Sequence, residues 1–319
     1  MAIEVTPANL TALNVMLVSL FDEGLTEAEL EQSAILETAF VGPSGSAANI
    51  YTFHPNQARL VKKLRDSDEL KVRGVNVYSQ RVENDRREDV VEVHRDHIAD
   101  DLVGQYAGMF SDLGRATALA PSQALEQVHL DGTDTTLGLG YDGKPFFAGT
   151  GNSESHPVKP FQSGSATQVN WLIQAAGLTF TTFATGYAAM EGFLGEDGKS
   201  AGSRPNLLLV SPEYRGIGMD ICYNDRPSTL SGGGNPWLGK CDLMVIQNWT
   251  GLNRWELIDN RQPRRRPFVR QEREAFALYS QINDTDESVF ARDTFRYKVT
   301  GRDGTGYGYW YKALLSTLA

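Results

Sequence analysis

Basic residues are missing from the first part of this chain. No lysine or arginine precedes Arg59, whereas seven acids do: Glu4, Asp22, Glu23, Glu27, Glu29, Glu31 and Glu37. The whole chain of 319 residues has 30 Lys+Arg against 40 Asp+Glu, a net charge of −10, so an acidic opening precedes a nearly neutral body. That balance excludes a protein whose entire surface grips nucleic acid. Cysteine is nearly absent too. Cys222 and Cys241 make no disulfide framework and read as reduced thiols in a cytosolic setting, where the sequons at Asn9, Asn248 and Asn283 carry no glycan. No run approaches the roughly 20 apolar residues that span a bilayer. The opening "MAIEVTPANL" has no basic segment ahead of an apolar one, so no secretory signal is expected. Nucleophile machinery is missing as well: there is no G-x-S-x-G elbow and no C-x-x-C pair. His54, His129 and His156 stand without a carboxylate at informative spacing. The expectation is no catalytic residue, no metal ligand and no cofactor.

What is present is globular, since 10% aromatic and 22% charged residues exclude wholesale disorder and a coiled-coil rod. Thr6-Pro7 is a helix-entry signal. Leu10, Leu13, Leu17 and Leu20 follow at helical spacing, Gly24 is expected to stop the run, and a second short helix is expected from Thr26. With no third partner nearby, these helices read as an arm that docks elsewhere. Residues 59–95 are densely charged, with valines at 72, 75, 77, 90, 91 and 93 that suggest two strands of a ribbon separated by "SQRVENDRRED". Such a ribbon is marginal alone and needs a neighbour. After the cap Asp96, the residues Ile98, Leu102, Tyr106, Phe110, Leu113 and Thr117 predict a long spine helix to about Leu119, kinked or ended by Pro121. A glycine-rich stretch follows at 131–165, then a helix from about Thr167 to Leu194. Buried strands are expected at 204–213 and 241–249, and another short element begins at Trp255, making a compact α/β lobe. Phe295, Tyr297 and Val299, the turn-like "GRDGT", and Tyr307, Tyr309 and Tyr311 predict a closing two-stranded hairpin.

Three motifs invite chemistry. "FLGEDGKS" at 193–200 lies one residue from a phosphate-cradling loop, but Phe193 stands where glycine is required and a helix precedes it, so a turn is the better reading. His94 and His97 straddle a strand–helix junction, and a metal site needs three or four convergent ligands. The densest charge is "RQPRRRPFVRQER", with Arg261, Arg264, Arg265, Arg266, Arg270 and Arg273. Guanidinium forks suit phosphate, but in so acidic a chain pairing with carboxylates of another subunit, such as those of the arm, is favoured.

"HRDHIADDLVGQYAGMFSDLGRATA", "YDGKPFF" with His156-Pro157 following, the closing "ESVFARDTFRYKVTGRDGTGYGYWYKA" and the opening Val5-Thr6-Pro7-Ala8-Asn9-Leu10 resemble, in order, the Mu-like phage major head subunit family. The resemblance implies an α+β fold, the tailed-phage major capsid fold (HK-ninety-seven-like) shared with encapsulin shells. It places the N-terminal arm at 1–50, the extended ribbon loop at 51–95, a peripheral domain with the spine helix at 96–160 and 285–319, and an axial domain at 161–284. It implies a structural protein, not an enzyme, that self-assembles as pentamers and hexamers into an icosahedral head around double-stranded DNA. Its partners would be further copies, a separate scaffold, a portal, packaged DNA without sequence specificity and, in some heads, decoration proteins, with no membrane. The location would be the virion, after assembly in the host cytoplasm. Arg264, Arg265, Arg266 and Arg270, with Arg86 and Arg87 of the ribbon, become the candidate inter-subunit or DNA contacts. A soluble α/β hydrolase or nucleotide-binding enzyme, and an encapsulin-like compartment, are the alternatives.

Overall fold

The computed structural model describes residues 7–29, 33–54, 77–99, 104–158, 167–195, 198–227, 234–283 and 285–319. The valines at 72 and 75, Leu102 and the acids at 100 and 101 lie outside them.

The first helix, α1 (Pro7–Glu29), runs unbroken through Gly24. A lone glycine costs a helix only about 1 kcal/mol, and here it answers a packing need. A Cβ on Gly24 would sit 2.1 Å from the Ser111 carbonyl oxygen, and one on Gly114 would sit 2.0 Å from that of Phe21. Two helices thus cross with backbones in contact. The second is the spine, α4 (Gly104–Asp131), whose 28 residues extend about 42 Å at 1.5 Å per residue. It passes Pro121 without stopping. The proline removes one backbone donor, and Ser122 Oγ donates to the Leu119 carbonyl beside the gap (2.8 Å). The arm is therefore docked on its own chain: Leu17 and Phe21 bury against Phe110 and Leu113.

A short helix α2 (Ser33–Leu36) leads to β1 (Ala39–Pro43) and β2 (Ala48–Phe53). β2 pairs antiparallel with β3 (Tyr78–Glu83), the described part of the segment where a ribbon is expected; 55–76 lie outside the described residues. This pair does not stand clear of the body, because Phe53 and Tyr78 pack with Tyr141. "SQRVENDRRED" is strand, with Asn84 alone between β3 and β4 (Asp85–His94). A short α3 (Arg95–Ala99) joins β4 to the spine. β4 is not ribbon but the edge of a four-stranded sheet, order β1-β11-β12-β4, with β11 (Phe268–Gln281) and β12 (Thr294–Tyr307). The helix α7 (Glu287–Arg292) connects those two strands. Val91, Val93, Phe295, Tyr297 and Val299 point from this sheet onto α1 and α4, which accounts for their alternation.

The closing hairpin is not formed. "GRDGT" lies inside β12, with Asp303 opposite both Glu272 of β11 and Asp85 of β4. Its glycines serve close approach rather than a turn: a Cβ on Gly304 would meet the Glu83 carbonyl oxygen at 2.2 Å. The chain then turns at 308–312 and enters β13 (Ala313–Leu318), a strand of the second sheet. That sheet has the order β7-β13-β10-β8-β9, with β7 (Trp171–Gln174), β8 (Leu207–Val210), β9 (Asp242–Val245) and β10 (Arg254–Ile258). The expected helix from Thr167 is replaced at first by strand. β6 (Thr167–Gln168) pairs with β5 (His156–Pro157), β7 pairs with β13, and α5 starts only at Phe180 and ends at Glu191. Thr179 and Thr182 cap it reciprocally. With α6 (Arg215–Tyr223) these elements cover a core containing Phe183, Trp249, Trp255 and Leu314.

Candidate functional site

The arginines that crowd together in sequence are distributed by the start of β11. Arg261 Nε donates to Asp259 (2.9 Å) and Arg273 to the Ser44 carbonyl (3.2 Å). Arg266 donates to the Ala39 carbonyl (2.8 Å), and Arg270 reaches Glu272 at 3.5 Å. Arg265 donates to the Tyr311 hydroxyl (3.2 Å) and lies over the Tyr309 ring. Arg264 is exposed. Arg86 and Arg87, expected on the ribbon, lie instead on the edge strand β4: Arg87 donates to the buried Asp303 (2.9 Å), and Arg86 is exposed opposite Arg302. Sequence pattern located these side chains. It gave no hint that backbone carbonyls of the segment after α2 would take Arg266 and Arg273.

Arg264 and Arg266 form one lip of a groove of about 360 Å³ beside β2. Phe40, Tyr51, Thr52, Phe53, Val269 and Tyr309 also line it, with Phe53 edge-on to Tyr309 at 5.3 Å between centroids. Guanidinium groups beside aromatic walls suit a ligand with an apolar body and a negative end.

Two histidines that lacked partners in sequence have them in space, and both are sealed. His129 Nδ1 lies 2.6 Å from Glu256 Oε2, and Arg254 bridges the Glu256 carboxylate and the His129 carbonyl. Burial alone would raise the Glu256 carboxyl, but the charges and hydrogen bonds of His129 and Arg254 outweigh it and hold the group below its ordinary value. His156 Nδ1 lies 2.6 Å from Asp142 Oδ2, its ring stacks on Trp310 at 4.1 Å, and its Nε2 faces the Phe146 carbonyl and Asn170 Oδ1. At the end of β10, Lys312 Nζ donates to Asp259 (2.8 Å). Burial opposes the Asp259 charge, while bonds from Arg261, Lys312 and the Arg204 N–H overcome it and depress the carboxyl. Burial also lowers Lys312, with Asp259 opposing. Apart from the exposed Arg261, these side chains are buried and tie strands together.

A carboxylate depressed in the folded state contributes stability above its unfolded pKa and loses it as pH falls through the folded one. For Glu256 and Asp259 the ordinary values are 4.5 and 3.8. The urea midpoint of the unassembled subunit is therefore expected to hold from neutral pH to about 5 and to fall steeply below about 4. A midpoint unchanged down to pH 2 would contradict these assignments.

The remaining motifs resolve as structure. In 193–200, the Gly198 N–H bonds the Gly195 carbonyl (2.9 Å) and the Gly195 N–H bonds that of Lys199 (2.7 Å), so two of the backbone donors a phosphate loop would offer are already used. Phe193 packs on Trp310. His97 bonds the Tyr106 hydroxyl, and among the described residues no cluster of three or more metal-ligating groups occurs. Both thiols are buried, and that burial pushes Cys222 up to about 12 and raises Cys241 too, which makes poor nucleophiles.

The sequence matches a known family profile, the Mu-like prophage major head subunit gpT, over residues 10–177 and 247–318. The chain belongs to that family. Its members are structural head subunits rather than enzymes. The major capsid protein of Escherichia phage Mu is 30% identical over 169 residues, 52% of this chain and 50% of that protein. The chain thus matches only half of that relative's length. The Mu-like prophage FluMu major head subunit of Haemophilus influenzae is 24% identical over 97% of this chain and 73% of its own. Among solved structures, the procapsid of bacteriophage JBD30 superposes with a TM-score of 0.55 at 23% identity, covering 98% of this chain and 76% of that one. Microbacterium phage Oxtober96 gives 0.52 at 14% identity, covering 90% and 91%. The fold is that of tailed-phage capsids, α+β as expected. The span outside the family match, 178–246, contains α5, α6, β8 and β9.

Proposed function

We propose that this Mu-like head subunit is a major capsid protein whose copies close into an icosahedral shell around double-stranded DNA. The observation that carries the reading is a capsid fold shared over 98% of the chain with a phage procapsid subunit. On this reading the ribbon rooted at β2 and β3 is the extended loop. The four-stranded sheet with α1 and the spine is the peripheral domain, and the five-stranded sheet is the axial domain, with β13 belonging to the latter. Each subunit buries on the order of 2,000–5,000 Å² against neighbours, the range of obligate contacts. Several moderate contacts per copy then act together. A net charge of −10 suits a container that must release its contents, because tight phosphate binding would hinder both filling and ejection. Scaffold, portal and decoration proteins are the expected partners, and assembly is expected in the host cytoplasm.

Expression of the chain alone and with its scaffold, followed by sedimentation and electron microscopy, is expected to give closed particles of megadalton mass. A subunit that stays monomeric under both regimes overturns the proposal.

A further inference from the structure

The groove beside β2 is incomplete as it stands. Arg266 spends one nitrogen on the Ala39 carbonyl, while its Nε is buried without a hydrogen-bond partner. An orphaned charged donor is costly unless an acceptor reaches it. Among the described residues Arg264 beside it has no carboxylate partner, and none of those lining the groove is acidic. The cavity of about 360 Å³ admits one or two side chains and is walled by aromatic rings. A duplex backbone is a poor match, since its phosphates gain nothing from an apolar floor and, of the two arginines lining the groove, Arg264 alone has no partner among the described residues.

The same chain offers the complementary surface. Along α1 the outward side shows Val15 and Met16, 63% and 41% exposed, followed by the exposed acids Asp22, Glu23 and Glu27. From Val15 to Glu27 is about 18 Å of helix at 1.5 Å per residue. No lysine or arginine in the first 58 residues offsets those acids, and among the described residues no cation pairs with them. Apolar residues followed by carboxylates on one face answer aromatic walls beside guanidinium groups on the other. Within one subunit, the opposite side of α1 is already committed to the spine through Gly24 and Gly114.

We infer that the groove receives the free acidic face of α1 from a second copy, with a carboxylate among Asp22, Glu23 and Glu27 meeting the exposed guanidinium of Arg264 at the groove's edge. The contact is heterologous, since groove and helix are different surfaces, so each copy gives one helix and accepts another. This inference rests on the shell reading.

The test is a charge exchange in the full chain, made wherever the wild type forms particles. Arg264→Glu is expected to cut particle yield at least tenfold, as is the triple change Asp22→Lys, Glu23→Lys, Glu27→Lys. All these positions are at least partly exposed, and thermal melting of the unassembled subunit checks that each variant folds. Combining both sets in one chain restores the attraction with reversed sign and is expected to return most of the yield. A groove variant that assembles like wild type overturns the inference. So does a combined chain that folds yet shows no recovery, and so do normal shells with less packaged DNA, which would mark the groove as a phosphate site. A second readout is independent of yield. Particles are grown from a mixture of isotope-labelled and unlabelled Arg264→Lys chains and treated with a carbodiimide. They are expected to give a cross-link from the introduced lysine to a peptide holding Asp22, Glu23 or Glu27, with label on one side only. Cross-links confined to one chain would overturn the pairing. Failure of the wild type to form particles would instead defeat the shell reading.

Discussion

Gly114→Ala is expected to loosen α1 from the spine, although alanine favours helix over glycine by about 1 kcal/mol. The new methyl would stand 2.0 Å from the Phe21 carbonyl oxygen and 2.9 Å from the Leu25 nitrogen. Both obstacles are backbone, so no side chain can swing aside, and α1 must move bodily. Displacement uncovers Leu17 and Phe21, which are 1% and 5% exposed in place. The expected loss is at the upper end of about 1–3 kcal/mol for overpacking. Gly108 supplies the contrast within the same helix, because a Cβ there meets nothing within 4 Å. Gly108→Ala is expected to stabilise by up to about 1 kcal/mol. Urea denaturation of the two unassembled variants should therefore shift the midpoint in opposite directions. Equal or parallel shifts would show that Gly24 and Gly114 are not the contact between the helices.

Glu256→Leu is expected to cost more. The carboxylate is wholly buried in the middle of β10, opposite Leu209 and Leu315, and it compensates Arg254 and His129. Removing it leaves a guanidinium inside the protein beside Trp249, at 4.6 Å from the ring centroid, with no counter-charge. Breaking a buried pair in this way costs about 3–5 kcal/mol, against total stabilities of about 5–15 kcal/mol for folded domains. Most of the variant should appear as insoluble subunit, with the soluble remainder melting far below wild type. Changing Arg254, Glu256 and His129 together to leucine removes all three polar groups and is expected to recover much of the loss. If the single variant were as stable as wild type, the network would have to be solvated rather than sealed.

Local patterns in the sequence foretold local structure well. Tyr106, Phe110, Leu113 and Thr117 marked the spine because one face of it meets the sheet, and the "LLLV" run marked β8 because both faces of that strand are buried. The ordered resemblance to head subunits supplied the fold that periodicity alone could not. Failures occurred where tertiary contact overrode a local signal. Gly24 looks like a stop until the backbone of Ser111 is placed against it, and "GRDGT" looks like a turn until strands on both sides pair with it. Parallel pairing of β1 with β11 joins residues more than 200 positions apart, with no sequence mark at either end. The candidate arginines were legible because charge clusters are visible in any sequence. Their partition into clamped and free was not, since acceptors such as the Ala39 and Ser44 carbonyls look like every other carbonyl.

The passage from β12 to β13 has a mechanical consequence. One uninterrupted stretch of backbone crosses from the first sheet to the second, and its corner is caged: Trp310, Tyr311 and Lys312 are all at most 4% exposed. Bending one half of the molecule against the other would have to prise those side chains out of close packing. On the proposed shell reading, outward pressure from the contents should therefore tilt each subunit as a stiff plate, and the give should be found at the seams between subunits.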